Sequence, residues 1–284
     1  MIDPSTRFVD IHYHAGVDLY QRRHTTRVAG QRYAEQQGWV VAKSHLGSTA
    51  AQAWEARQDG LPVSGSLTLN MISGGLDVRS IEQSTYQHGQ DSPMRLVVYL
   101  PTLVDSHAST LQRTPFHSRM DVARLGRLRV SDESGRLRPS VHEVLRAARD
   151  LPVVIATGHA NRAETLLLVD AALALGLDRL LLTHPTHPMC GLSLEDLASL
   201  ADLPEVYVEV TALDRLLGHQ DPLTFANVAR SHPRIIYSSD LGQPNQPNVA
   251  DWLNISQCWF TEAGLTDVEV AKMTMSMPMS LLAN

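Results

Sequence analysis

Residues 8–16, "FVDIHYHAG", set the pattern by which the rest of the chain is read: an apolar run closes on two histidines, His12 and His14, one residue apart. On a β-strand, residues i and i+2 share a face, so a buried strand ending this way delivers two imidazoles into one space. Seven further apolar runs are bounded by turn residues in the same manner: "GWVVAKSHLG", "LPVSGSLTLN", "MRLVVYLPTLVD", "LPVVIATGHAN", "DRLLLTHP", "VYVEVTAL" and "RIIYSSDLG". Near-continuous Val, Ile and Leu mark strands covered on both faces, as in a parallel sheet. Several of the intervening segments read as helices. "NRAETLLLVDAALALGL" carries apolar residues at helical spacing up to Gly176, and "SLEDLASLADL" offers Ser193 as an N-cap.

Eight strands alternating with helices predict an α/β fold, a (β/α)8 TIM barrel, formed as a single domain over residues 1–284. An open dinucleotide-binding sheet would place Gly-x-Gly-x-x-Gly after its first strand, and none stands there. The one long departure follows the fourth strand, over residues 105–140, where "RLRVSDESGRLRPS" predicts a β-hairpin insertion turning at "DESG". Loops on that side of a barrel border the active site.

Composition narrows the function classes. Hydrophobic content of 43% against 19% charged describes a chain with a large buried core, and a net charge of −6 without a block of like charge predicts neither a nucleic-acid nor a membrane partner. Cys190 and Cys258 are too few for a disulfide framework or a Cys-rich zinc site. "MIDPSTRFVD" lacks the apolar core of a signal peptide, so a cytoplasmic location is expected. The longest apolar run is interrupted by Asp170 and falls short of the roughly 20 residues of a membrane span. Thirteen histidines against four phenylalanines then make the placement of the histidines the useful question.

In a barrel, catalytic groups stand at the C-terminal ends of the strands. His12 and His14 end the first strand, Lys43 and His45 the second, His159 the fifth in "ATGH", His184 the sixth in "LTHP" and Asp240 the eighth in "SSD". Neutral imidazoles and a carboxylate bind zinc or a similar divalent ion, leaving one position for water, and the ion lowers the pKa of that water to about 7. A carboxylate beside it, as Asp240 would be, can take its proton and pass it to a leaving group. Glu209 alternates with Tyr207 in the seventh strand, which turns it inward to orient a ligand histidine. His45, Thr102 and His107 are the expected substrate contacts, against a core role for His45 and turn or cap roles for Thr102, Asp105 and His107. The tail "MTMSMPMSLL" reads as core packing.

Taken in order, "DIHYH", "ATGH", "LTHP" and "SSD" resemble the amidohydrolase superfamily of metal-dependent hydrolases, over residues 8 to about 282. Lys-x-His on strand two and "TGH" on strand five are similar to an uncharacterised branch of it. The resemblance implies that His12 and His14 bind the more buried metal, that His159 and His184 bind a second, and that Asp240 is both a ligand and the general base. The implied cofactor is a divalent metal, Zn2+ or Mn2+, one or two per chain.

One departure matters. Many binuclear members bridge their metals through a carboxylated lysine ending strand four, and "RLVVYLPTLVD" contains no lysine. Either Lys43 takes that part as a carbamate, or it stays a cation that holds a substrate carboxylate or phosphate, the site is mononuclear and His184 binds substrate. The implied activity is hydrolysis of an amide, cyclic amide, lactone or ester bond in a small molecule. The rivals are a mononuclear decarboxylase of a small acid and a non-catalytic barrel stabilised by metal. A homo-oligomer, dimer or tetramer, fits an enzyme of this kind.

Overall fold

Each of the eight apolar runs forms strand in the computed structural model, which describes residues 3–104, 114–117 and 125–284. The strands are β1 (Phe8–His14), β2 (Gly38–Lys43), β3 (Val63–Ser64), β4 (Ser66–Thr68), β5 (Leu96–Tyr99), β6 (Val153–Ala156), β7 (Leu180–Leu182), β8 (Val206–Thr211) and β9 (Ile235–Ser238). Gly65 divides the third run into β3 and β4. A Cβ there would lie 2.6 Å from the Cα of Ala50, so only glycine admits the helix that starts at Ala50.

All strand pairs are parallel, in a sheet ordered β1-β2-β3 and a sheet running from β4 to β9 in sequence order. β9 lies beside β1: Tyr13 and Leu241 form a parallel bridge, and the Asp240 N–H donates to the His12 carbonyl at 2.8 Å.

The flanking helices include α1 (Thr26–Glu35), α2 (Ala50–Gln58), α3 (Val78–His88), α4 (Pro139–Asp150), α5 (Arg162–Ala174), α6 (Leu194–Ser199), α7 (Ala212–Leu216), α8 (Pro222–Arg230) and α9 (Val249–Glu262). Ser193 caps α6, and Asn161 with Glu164 forms a capping box on α5, which satisfies N–H groups that a helix start leaves open. No described helix is long and apolar enough to cross a membrane.

Where a hairpin is expected, the described residues hold only a single antiparallel bridge, Ser131 to Leu137. The Asp132 N–H donates to the Arg136 carbonyl at 2.8 Å and the Arg138 N–H to the Val130 carbonyl at 2.9 Å, and the Asp132 carboxylate caps the turn between them by accepting from the Ser134 and Arg136 N–H groups and the Ser134 hydroxyl. The rest of that insertion, residues 105–113 and 118–124, lies outside the described residues.

Strand side chains alternate between two apolar layers. One packs under the helices, with Val40, Ile155 and Val208 against Ala53, Leu168 and Phe225. The other faces away from them, with Val41, Val97 and Ile236 meeting Met275, Met277, Met279, Leu281 and Leu282 of the tail. Further along the strands this second face turns polar: Lys43 follows Val41, Glu209 follows Tyr207 and Ser238 follows Ile236 at the same parity.

β1 departs from simple alternation. Its register against β2 slips between Asp10 and Tyr13, so Ile11 and His12 together oppose Val41. This bulge lets Val9 and Ile11 enter the apolar layer while His12 and His14, of the other parity, still reach the polar end of that face. Asp10 secures it. Its Oδ1 accepts from the His12 and Ser239 N–H groups at 3.0 Å each, and its Oδ2 accepts from the Tyr33 hydroxyl.

The β3–β4 kink is held from the helix side by His88, whose Nε2 accepts from the Gly65 N–H at 3.1 Å. Burial and the adjacent Arg57 guanidinium push the His88 pKa down to about 3, from an ordinary value of 6.5. Between those values the unfolded chain binds more protons than the folded one, so stability is expected to fall as pH drops from 6.5 toward 3. The slope reaches ~1.4 kcal/mol per pH unit for one such group. His88→Gln, whose Oε1 can accept the same N–H, is expected to flatten this part of the pH–stability curve in urea unfolding.

Candidate metal centre

Glu209 sits fully buried in the middle of the polar face and ties three strands together. Its Oε1 accepts from His12 Nδ1 at 3.0 Å and from the Ser238 hydroxyl at 2.6 Å, and its Oε2 accepts from the His184 N–H at 3.0 Å. Burial alone would raise its pKa, but His12 and these donors outweigh burial and hold it low. An ionised carboxylate only accepts, so His12 Nδ1 carries a proton and Nε2 is the nitrogen left to meet either a second proton or an ion.

His12 Nε2 lies 3.0 Å from Asp240 Oδ1 and 2.8 Å from Lys43 Nζ. His14 Nε2 approaches the same Asp240 oxygen at 3.1 Å. The donor atoms of His12, His14 and Asp240 all lie within 4.8 Å of one another. His184 stacks on His12 with ring centroids 6.0 Å apart, and His159 lies 5.2 Å from His184. Lys43 is fully buried, with Nζ 4.1 Å from the centroid of Tyr99, the last residue of β5. The structure therefore gathers His12, His14, Lys43, His159, His184 and Asp240 at one end of the strands.

Backbone strain marks the same place. Asp240 and His184 hold φ of +51° and +28°, a region costly for residues other than glycine. Gly242 has φ +128°, and a Cβ on it would fall 2.0 Å from the His14 carbonyl oxygen. Gly158, before His159, has φ +61°, and a Cβ there would fall 2.2 Å from that of Leu100. These glycines let the loops of the ligand-bearing strands close onto their neighbours.

The protonation states suit a cation. Burial, with Arg22 nearby, lowers the His14 pKa to about 4, and burial lowers that of His184 to about 3, so both rings are neutral donors. Burial would raise Asp240, but His12 and His14 hold it well below the usual carboxylate range. Burial disfavours charge on His12 as well, yet Asp240 and Glu209 raise its pKa to about 9. The buried Glu209 and the part-buried Asp240 carboxylates thus draw positive charge to His12. Two imidazoles and a carboxylate at 3.0 and 3.1 Å are close to the roughly 3.3 Å separating neighbouring ligands around a tetrahedral zinc. The donor set fits a divalent ion.

Around this group the sequence foretold some roles and missed others. His45 lies with its ring 4.7 Å from His14. Asn70 Oδ1 accepts the Thr102 and Leu103 N–H groups, which orients its amide so that Nδ2 donates to Thr102 Oγ1. The Thr102 hydroxyl then donates to His45 Nδ1 at 2.8 Å, leaving Nε2–H of His45 as a donor. Thr102 thus stands behind His45, orienting it. His107 and Asp105 lie outside the described residues.

Asp18, which the sequence reading passed over, faces His14 Nδ1 at 3.5 Å and accepts from the His45 N–H at 2.8 Å. Arg22 engages it through Nε at 2.8 Å and Nη2 at 2.6 Å, so Asp18 is a neutralised orienting group and a poor metal ligand. The available signal was the spacing His14, Asp18, Arg22, four residues at each step.

Parallel strands alternating with helices in this α/β arrangement define a class, the amidohydrolase fold, and solved structures bear out the fold. A zinc-bound amidohydrolase from Burkholderia multivorans is 14% identical, with a TM-score of 0.58 over 96% of this chain and 98% of that one. A 2,6-dihydroxybenzoate decarboxylase complexed with 2,6-dihydroxybenzoate is 11% identical, with a TM-score of 0.55 over the same shares. A structure from the engineering of organophosphate hydrolysis on a weak promiscuous lactonase template is 14% identical, with a TM-score of 0.51 over 98% of this chain and 96% of that one. Residues 7–209 match the model of a family of unknown function, DUF6282, and the chain belongs to that family. No match is found among curated protein sequences.

Glu209→Gln retains the side chain's size but replaces one acceptor oxygen by a donor, so it cannot serve His12, Ser238 and His184 together. Zn2+ affinity is expected to fall about 10- to 100-fold, measured by calorimetric titration of chelator-treated protein with circular dichroism as the fold control.

Proposed function

We propose that the chain is a metal-dependent hydrolase of small molecules, formed as a single domain whose two sheets make one closed (β/α)8 barrel. The adjacency of β9 to β1 and the continuity of β3 and β4 across Gly65 support closure. The observation that carries the function is the approach of one Asp240 oxygen to Nε2 of both His12 and His14. His12, His14 and Asp240 hold one ion, zinc or manganese, and His159 and His184 are the donors for a second. When bound, the ion supplies a Lewis acid and an acidified water.

The chain's own groups perform the rest. Asp240, ionised at neutral pH, takes the proton of the attacking water and returns it to the leaving group. Glu209 keeps His12 in the tautomer that points its lone pair inward. His45, oriented by Thr102 through Nδ1, donates to a substrate oxygen. Lys43 stands beside the ligands, 2.8 Å from His12, and burial lowers its pKa to about 8. Its amine form can add CO2 and release a proton to become a carbamate, which would supply the bridging anion that β5 lacks. The substrates that fit are amides, cyclic amides, lactones and esters, with attack at the carbonyl carbon.

A second reading is decarboxylation of a small acid at a mononuclear site. It is favoured by the absence of lysine from β5, with Lys43 remaining an ammonium that clamps the carboxylate. The test uses metal-loaded protein on lactones, cyclic imides and aryl esters, with small aromatic acids as the decarboxylase arm. Hydrolysis of at least one member is expected, with Asp240→Asn lowering kcat by about 10²-fold or more. Release of CO2 from the acids alone would establish the second reading. No turnover of any compound by metal-loaded wild type, or undiminished turnover by Asp240→Asn, would sink the hydrolase assignment.

A further inference from the structure

A second group of donors gathers beyond β7 and β8, beside the centre but separate from it. His187 lies in the loop after β7, Asp214 within α7 and His219 just past it. Asp214 Oδ1 is 3.3 Å from His219 Nδ1 and 3.8 Å from His187 Nε2, and the three donor atoms lie within 4.8 Å of one another. The two rings meet edge to face with centroids 4.7 Å apart. His187 is also 5.4 Å, ring to ring, from His184.

The carboxylate is what sets this group apart from a surface cluster. The Asp214 side chain is only 1% exposed, and its Oδ2 has no hydrogen-bond partner among the described residues. A carboxylate taken out of water needs a compensating charge or donors. Its surroundings supply little of either: His219 Nδ1 reaches Oδ1 at 3.3 Å, and burial, together with the Asp240 and Glu209 carboxylates, outweighs Thr211 and pushes the pKa well up. The adjacent Arg215 is turned elsewhere, to the Gln220 carbonyl and to Glu262. Among the described residues, the only basic groups within ion-pair distance of Asp214 are the two imidazoles.

The loops are also pre-set. Gln220 Nε2 donates to the Thr186 hydroxyl at 3.0 Å, and the His219 N–H donates to the Asp214 carbonyl at 2.9 Å. These bonds hold the residues next to His187 and His219 in place before any ion arrives.

We propose that His187, Asp214 and His219 form an additional divalent-cation site, independent of the His12–His14–Asp240 centre and suited to zinc. Two imidazoles and a carboxylate are a zinc donor set, and ligands around a tetrahedral zinc stand roughly 3.3 Å apart. Separations of 3.3 and 3.8 Å from Asp214 therefore need only a sub-ångström closure. An ion would take the place of the proton that burial favours on Asp214 and supply the positive charge its ionised form needs, and the exposed His219 edge gives it a path from solvent.

The test titrates chelator-treated protein with Zn2+ alone and counts bound ions by mass spectrometry after gel filtration. It compares wild type and Asp240→Asn, each with and without His219→Ala. His219 is exposed, so its removal should leave the fold intact, and circular dichroism checks this. Loss of His219 is expected to lower the count by one ion per chain in both backgrounds, with Asp214→Asn giving the same loss. Equal counts with and without His219 in either background would overturn the site. The effect of Asp240→Asn alone reports on the hydrolase centre, so failure there is distinguishable from failure here.

Discussion

The buried carboxylate of Glu209 is the constraint around which the centre is organised. A charge withdrawn from water is tolerated only where donors replace the water. Here the donors come from a ring nitrogen of β1, a hydroxyl of β9 and the backbone that follows β7. Satisfying one side chain therefore aligns three strand ends. It also keeps a proton on His12 Nδ1, and so leaves Nε2 as the nitrogen that can meet an ion.

A division of one sheet face supports that arrangement. The end packed by the methionine-rich tail is apolar and adaptable, while the opposite end carries Lys43, Glu209, Ser238 and Asp240. The bulge in β1 lets a single strand serve both ends, with Ile11 in the apolar layer and His12 in the polar one. A strictly alternating strand would have had to choose between packing and chemistry.

Much of this was legible in the sequence. Apolar runs closing on ionisable residues gave the strands and their order, and His12, His14, Lys43, His159, His184 and Asp240 do converge. Glu209 was legible from its alternation with Tyr207. The bulge was not, because a register slip depends on hydrogen bonds from Asp10 to residues distant in sequence, including Ser239. Asp18 and Asn70 were hidden for a similar reason: each orients a histidine through backbone and side-chain contacts that no local pattern encodes. Of the expected hairpin, the turn was legible because "SDESGR" has turn chemistry, and the described residues pair the chain on either side of it at one bridge, Ser131 to Leu137.

The meeting of β1 and β9 has a consequence in time. His14 and Asp240 are 226 positions apart, so their contact closes nearly the whole chain into one loop. Closing so long a loop carries a large entropy cost, which is lower once the local strand–helix units between the two ends have assembled. The ligands for an ion thus do not exist as a group until the last strand reaches the first. An ion captured there binds only the completed fold, adds its binding energy to that final step, and opposes the parting of the two strands. With an ion bound, the centre would serve as a clasp on the chain.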